Sequence, residues 1–170
     1  MANSDKVLSD PRAALFGTLA DVRAGMLGLT AGGDGSQPMT HFADEAAGLV
    51  WFISSTETDL VQSLGMGEEA EYVVISQDHD VHASLRGKLY HVHDDAKLDG
   101  LWNPFVSAWF EGGREDPRIA LLRFDPEVAN IWASSTSSLK FGFEMIRSTL
   151  DPAHQPDIGA KATVKFPTAA

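Results

Sequence analysis

The 170-residue chain contains no cysteine. Disulfides, a thiolate nucleophile and a cysteine-ligated zinc site are therefore excluded, in keeping with a reducing compartment. Positive charge is the second shortage, with 13 Lys and Arg against 24 Asp and Glu and a formal charge of −11. That balance argues against binding polyanions by bulk electrostatics and leaves room only for a local basic pocket. Long apolar runs are missing as well: nothing approaches the roughly 18 residues that a membrane-spanning helix needs. The opening Met-Ala-Asn-Ser-Asp-Lys has no basic-then-apolar signal pattern. There is no Gly-x-Ser-x-Gly elbow and no phosphate-binding P-loop. No repeat, low-complexity stretch or linker divides the chain. The expectation is a single cytoplasmic domain over 1–170, large enough for a core of its own.

What the chain does contain is organised around Ser36 to Leu64. Two β-prone runs come first, the earlier one opened by Pro38 and the two separated by a turn at Ala47 and Gly48. Leu49 to Ile53 is dense in branched and aromatic side chains, the pattern of a strand buried on both faces. The chain then breaks into Ser54, Ser55, Thr56, Glu57, Thr58 and Asp59. Thr56 and Asp59 have capping-box spacing, and Leu60, Val61 and Leu64 form the apolar side of a short helix. A strand that delivers the chain to a helix start offers backbone N–H groups and hydroxyls to an anion. A plain hydroxyl cap accounts for the same residues.

On either side of this stretch the pattern is mostly β. Asp10-Pro11 starts a helix of about 10–22, with Leu15, Phe16, Leu19 and Val22 on its apolar side. Strands are expected over 24–30, 71–76 and 81–93, the last alternating Val81, Ala83, Leu85, Gly87 and Leu89 against His82, Ser84, Arg86 and Lys88. A helix is expected over 94–102. Two further strands, 119–124 and 128–133, are read as joined by a tight Asp125-Pro126 turn. The barrel region thus runs over about 24–133. A C-terminal helix and tail at 137–170 follow, with a helix at 137–150 and a last strand at 162–166. Six or seven short strands with hairpin signals give a mainly β fold with flanking helices (α+β), an antiparallel barrel or sandwich.

Candidate chemistries are few. Gly65 to Ala70 matches a dinucleotide fingerprint in letters only, because it follows a helix and precedes a strand. His91 and His93 share a strand face near Asp78, His79 and Asp80, but no third ligand is marked, and no metal is expected. The pairs Asp94-Asp95 and Glu68-Glu69 read as a helix cap and a solvated face. Trp102, Phe105, Trp109 and Phe110 form an aromatic cluster beside Gly112-Gly113, suited to a core, a subunit interface or a stacked planar ligand.

Gln37-Pro38-Met39, then Trp51-Phe52-Ile53-Ser54 and a polar turn into a helix, resembles the flavin-binding segment of the pyridoxamine 5′-phosphate oxidase-like split barrels. The run Trp109-Phe-Glu-Gly-Gly-Arg-Glu-Asp-Pro117, with Leu121-Leu-Arg-Phe124 and Ala129-Asn-Ile-Trp132, is similar to the general stress protein 26 branch. The resemblance extends from about Pro11 to Trp132. It implies a six-stranded antiparallel split β-barrel acting as a homodimer, with FMN in a groove between subunits and oxidoreductase chemistry on an unidentified substrate. Carried over by position, Gln37, Met39 and Thr40 lie along the flavin. Phe52, Ile53 and Ser54 approach the ribityl chain, and Ser55, Thr58 and Asp59 fall at the phosphate. Trp109 or Trp132 is placed to close the site from the partner subunit. The chain departs from the family where Gln37 replaces an arginine and Asp59 a lysine. Each such charge-assisted contact is worth about 1.5–3 kcal/mol. Arg86 or Lys88 would substitute if their strand borders the site. A non-catalytic split-barrel dimer that has lost FMN, or binds another small ligand, is the alternative that these departures favour.

Overall fold

In the computed structural model, which describes residues 3–32, 35–134 and 159–167, two helices open the chain, α1 (Asn3–Ser9) and α2 (Pro11–Asp21). Asp10 starts α2 by accepting the Ala13 N–H on its carboxylate, with proline preset for the first turn. Leu15, Phe16 and Leu19 of α2 enter the core, and α1 follows them in through Val7. The sequence reading missed α1, whose seven residues carry one fully buried anchor and too little periodicity to register.

The strands are β1 (Ala24–Leu29), β2 (Gln37–Asp44), β3 (Leu49–Ser55), β4 (Glu68–Ile75), β5 (Val81–Val92), β6 (Ile119–Ser134) and β7 (Gly159–Lys165). Short helices α3 (Asp59–Gln62), α4 (Asp95–Leu101) and α5 (Pro104–Ser107) interrupt them. The antiparallel order is β3-β2-β1-β4-β5-β6-β7, and a further pairing of β3 with β6 closes the first six strands into a barrel. Of the two architectures open to the sequence, the protein adopts the six-stranded barrel, with β7 as a seventh strand on the C-terminal half of β6. Phe52, Tyr72, Leu85, Leu89, Leu122 and Phe124 fill the barrel. Among the described residues no helix is long and apolar enough to cross a membrane.

The alternation in β5 is as expected, with Val81, Ala83, Leu85, Gly87 and Leu89 inside. β3 is indeed buried on both faces. Val50 and Phe52 point into the barrel, while Trp51 packs outside against Leu98 of α4 and Leu121 of β6. Asp94 caps α4 by accepting the Lys97 N–H, so that acidic pair is a cap.

Other expectations are corrected. Ile119 to Ser134 is one 16-residue strand, with no hairpin at Asp125-Pro126. Pro126 is accommodated because the ladder shifts register between Arg86 and Gly87, and Gly87 lets the Asp125 carbonyl approach where a Cβ would overlap it. β4 starts at Glu68, so Glu68 and Glu69 are paired strand residues opposite Leu89 and Lys88. The helix expected at 137–150 lies outside the described residues.

Candidate functional site

β2 and β3 pair only from His41–Phe52 to Asp44–Leu49. Beyond that point the two strands take different partners. Gln37 to Thr40 stays with β1, through Thr40–Ala24 and Gln37–Leu27, while Ile53, Ser54 and Ser55 stay with β6. The barrel therefore has a seam whose facing strand edges are not laddered to each other. Backbone polar groups along such an edge must find partners elsewhere, which makes the seam a natural place for a ligand.

Most residues singled out by sequence border this seam. Gln37, Met39 and Thr40 line its β2 side, with Thr40 exposed and Met39 turned into the core. The Gln37 amide lies 3.6 Å from Met39 Sδ. Ile53, Ser54 and Ser55 line the β3 side. Phe52 sits at the point of divergence, but its ring is 0% exposed and stacks edge-on against Tyr72. Met39 and Phe52 therefore offer the seam mainly backbone. Trp109 is 84% exposed and stands apart from the packed Trp102–Phe110 pair, so the aromatic cluster divides into two inward and two outward rings.

The seam ends at the turn into α3. Here the cap is Thr58 and not Thr56: Thr58 Oγ1 accepts the Val61 N–H at 3.3 Å and donates to the Ser55 carbonyl at 2.9 Å. Ser54 Oγ lies 3.4 Å from the same hydroxyl. Backbone donors in the turn are largely committed. Thr56 N–H goes to the Arg118 carbonyl, Glu57 N–H to Ser55 Oγ and Thr58 N–H to the Ser55 carbonyl. α3 is only four residues long, too short to add an appreciable dipole. Glu57 and Asp59 are exposed at its start.

The cations proposed from sequence are elsewhere. β5 neighbours β4 and β6, and Arg86 is paired with Glu71 at 3.1 Å. Arg118, which sequence reasoning missed, borders the turn through its backbone. Its carbonyl holds Thr56, one step beyond the Ser55–Ile119 pair. Its guanidinium is forked onto Asp116, with Nε donating at 3.0 Å and Nη2 at 2.7 Å. Asp116 is 6% exposed and also accepts the Gly112 and Arg118 N–H groups. These donors hold its carboxyl well below the usual carboxylate range, the Arg118 side chain first among them. A Cβ on Gly112 would lie about 3.0 Å from Asp116, a tight contact, and Gly113 has φ +63°. The Gly-Gly-x-x-Asp-Pro run thus builds the loop that presents Arg118. Just before β1, the guanidinium carbon of Arg23 lies 5.2 Å from the ring centre of Phe105 in α5.

A second group missed by sequence lies beneath β2. His41 Nε2–H donates to the Leu19 carbonyl of α2 at 2.7 Å, and Nδ1 lies 2.6 Å from the Tyr72 hydroxyl. That hydroxyl is also 3.2 Å from the Met39 carbonyl. Burial lowers the His41 pKa, against a smaller raising effect of the Leu19 carbonyl. In the neutral tautomer that donates from Nε2, the Tyr72 O–H serves Nδ1. His91 and His93 lie with ring centres 5.2 Å apart, and among the described residues no group of three metal-ligand side chains forms. Cavities of about 270 and 360 Å³ lie between α1, α2 and the β4–β5 turn, lined by none of the seam residues.

The closed barrel with a parted β2–β3 ladder defines the split-barrel class. The chain belongs to the pyridoxamine 5′-phosphate oxidase-like family, whose sequence profile matches residues 10–157. A structure from Jannaschia sp. CCS1 named for general stress protein 26 is 33% identical, covering 93% of this chain and 99% of that one, with a TM-score of 0.76. A general stress family protein from Xanthomonas campestris pv. campestris is 39% identical, covering 82% and 94%, with a TM-score of 0.67. The general stress FMN/FAD binding protein of Xanthomonas citri is 41% identical over 74% of this chain and 89% of that one, with a TM-score of 0.65. No curated protein matches the chain significantly.

Proposed function

We propose that the protein binds FMN along the β2–β3 seam as a homodimer and acts as an oxidoreductase on a substrate still to be identified. The observation that carries this reading is the parting of the ladder after His41–Phe52, which leaves two strand edges facing a gap. The Xanthomonas citri relative, described as FMN/FAD binding, supports it. The donor set suits a phosphorylated ligand: Ser55 and Thr56 have hydroxyls at the end of the seam, and Arg118 adjoins them. Gln37, Met39, Thr40, Ile53 and Ser54 would hold the ring and ribityl chain. Thr58 and Asp59 shape the turn, with Asp59 opposing the phosphate charge. When bound, FMN supplies the electron transfer, while the chain orients and tunes it. No catalytic residue is assigned. A groove completed by a second chain is only half built by one. The exposed Trp109 and Trp132 are the side chains we place at the partner's groove.

The second reading is a dimer without flavin. Exposed Glu57 and Asp59, with glutamine at position 37, favour it. Titration of flavin fluorescence separates the two. Saturable quenching at micromolar protein supports FMN binding, and its absence supports the alternative. Elution at the monomer mass of 18.3 kDa would contradict a groove between subunits.

A further inference from the structure

Resting on the flavin reading, we infer that Arg118 is the phosphate-binding cation of this chain, taking over from the basic residues replaced by Gln37 and Asp59. The turn at the end of β3 leaves little else. Its N–H groups at positions 56, 57 and 58 are committed internally, and Thr58 Oγ1 both donates and accepts within the turn. Ser54 Oγ has Thr58 Oγ1 as its partner. Beyond the Asp59 and Leu60 N–H groups in the first turn of α3, an anion here would be met by side-chain donors: the hydroxyls of Ser55 and Thr56 and the guanidinium of Arg118.

Arg118 is suited to this by the way it is held. Asp116 engages Nε and Nη2, and among the described residues Nη1 has no hydrogen-bond partner. The Arg118 side chain is 41% exposed, whereas Asp116 faces inward at 3%. The carboxylate thus fixes the fork from behind and leaves the outer edge to water. A guanidinium already ordered loses less side-chain entropy on binding than a free one, which offsets part of the neutralisation by Asp116. Glu57 and Glu111 lie within electrostatic range of the same group. They oppose an incoming anion, so Nη1 acts through directed hydrogen bonds and not through a positive field.

The test compares FMN with riboflavin, which lacks the phosphate, on wild type, Arg118→Gln and Arg118→Lys. The expected result is tighter binding of FMN than riboflavin by wild type. Arg118→Gln should weaken FMN about tenfold or more and leave riboflavin within about twofold, and Arg118→Lys should restore part of the difference. Because Arg118→Gln strands the buried Asp116, the charge-neutral pair Asp116→Asn/Arg118→Gln is measured alongside, with a thermal melt as the folding check. The pair leaves net charge unchanged but lacks the Nη1 donor, so it too should lose the FMN preference. If folded variants keep that preference, or lose both ligands equally, Arg118 is only a loop staple and the inference is overturned while flavin binding stands. If wild type binds neither ligand, the flavin reading itself fails and the inference falls with it.

Discussion

Replacing His41 with leucine should destabilise the protein in a way that depends on pH. At about pH 8 the substitution removes the donor to the Leu19 carbonyl near the C-terminal end of α2. The Tyr72 hydroxyl is not stranded, since it can turn to the Met39 carbonyl 3.2 Å away. Leucine nearly fills the imidazole's space, so the expected loss is that of one buried carbonyl, about 1–3 kcal/mol. In wild type the folded pKa of His41 lies below its ordinary value because burial penalises the imidazolium. As pH falls through about 6.5, the unfolded chain takes up a proton that the folded chain refuses, and wild-type stability drops by up to ~1.4 kcal/mol per pH unit. The drop continues until pH reaches the folded pKa. His91 has the same sign, lowered by burial and then by His93, but it is present in both proteins and cancels in the difference. Asp44 and Glu71 have lowered pKa values, so their stabilisation is lost only below the usual carboxylate range near pH 4. Urea unfolding at about pH 8 and about pH 5.5 should therefore show the gap between wild type and His41→Leu narrowing with acid, by at most ~1.4 kcal/mol. A gap that is constant or widens with acid would refute the buried neutral histidine.

Gly87→Ala should cost about 3 kcal/mol or more, because the new Cβ overlaps the Asp125 carbonyl at the β5–β6 register shift. A melting temperature within a degree or two of wild type would mean that the strands do not meet as closely as described. Lys97→Met should cost only about 0.5–1.5 kcal/mol. The variant loses a half-exposed ion pair with Asp44 at 2.8 Å and the ammonium 4.8 Å from the Trp51 ring centre. It should also change Trp51 fluorescence. An unchanged emission spectrum would remove Lys97 from that ring.

Much of the barrel was legible because burial wrote it into the side chains. β5 alternates strictly, and β3 has no polar residue until Ser54, so each announces its faces. Asp10 and Asp94 announce their helices by capping chemistry. The long β6 was misread because Asp-Pro is ordinarily a turn signal, and its tolerance here depends on Gly87, 39 residues away in sequence and adjacent only across the ladder. Thr56 was chosen as the cap on spacing alone. The rule counts residues, whereas the extra pair between Thr56 and Arg118 prolongs the ladder and moves the helix start to Thr58. For the site, the seam residues were visible through resemblance, but the parting of the ladder is a property of pairing that no local pattern records. His41 and Arg118 were hidden for a related reason. Each acquires its role from partners on other elements or in a loop, Leu19 and Tyr72 for one and Asp116 and Thr56 for the other.

Amide hydrogen exchange with and without FMN tests the location of the site most directly. Protection on adding FMN should concentrate at Gln37 to Thr40 and at Ile53 to Thr58, the two sides of the parted ladder and the turn that closes it. Saturable FMN binding that leaves those amides unchanged, or protects a different part of the barrel, would contradict the account.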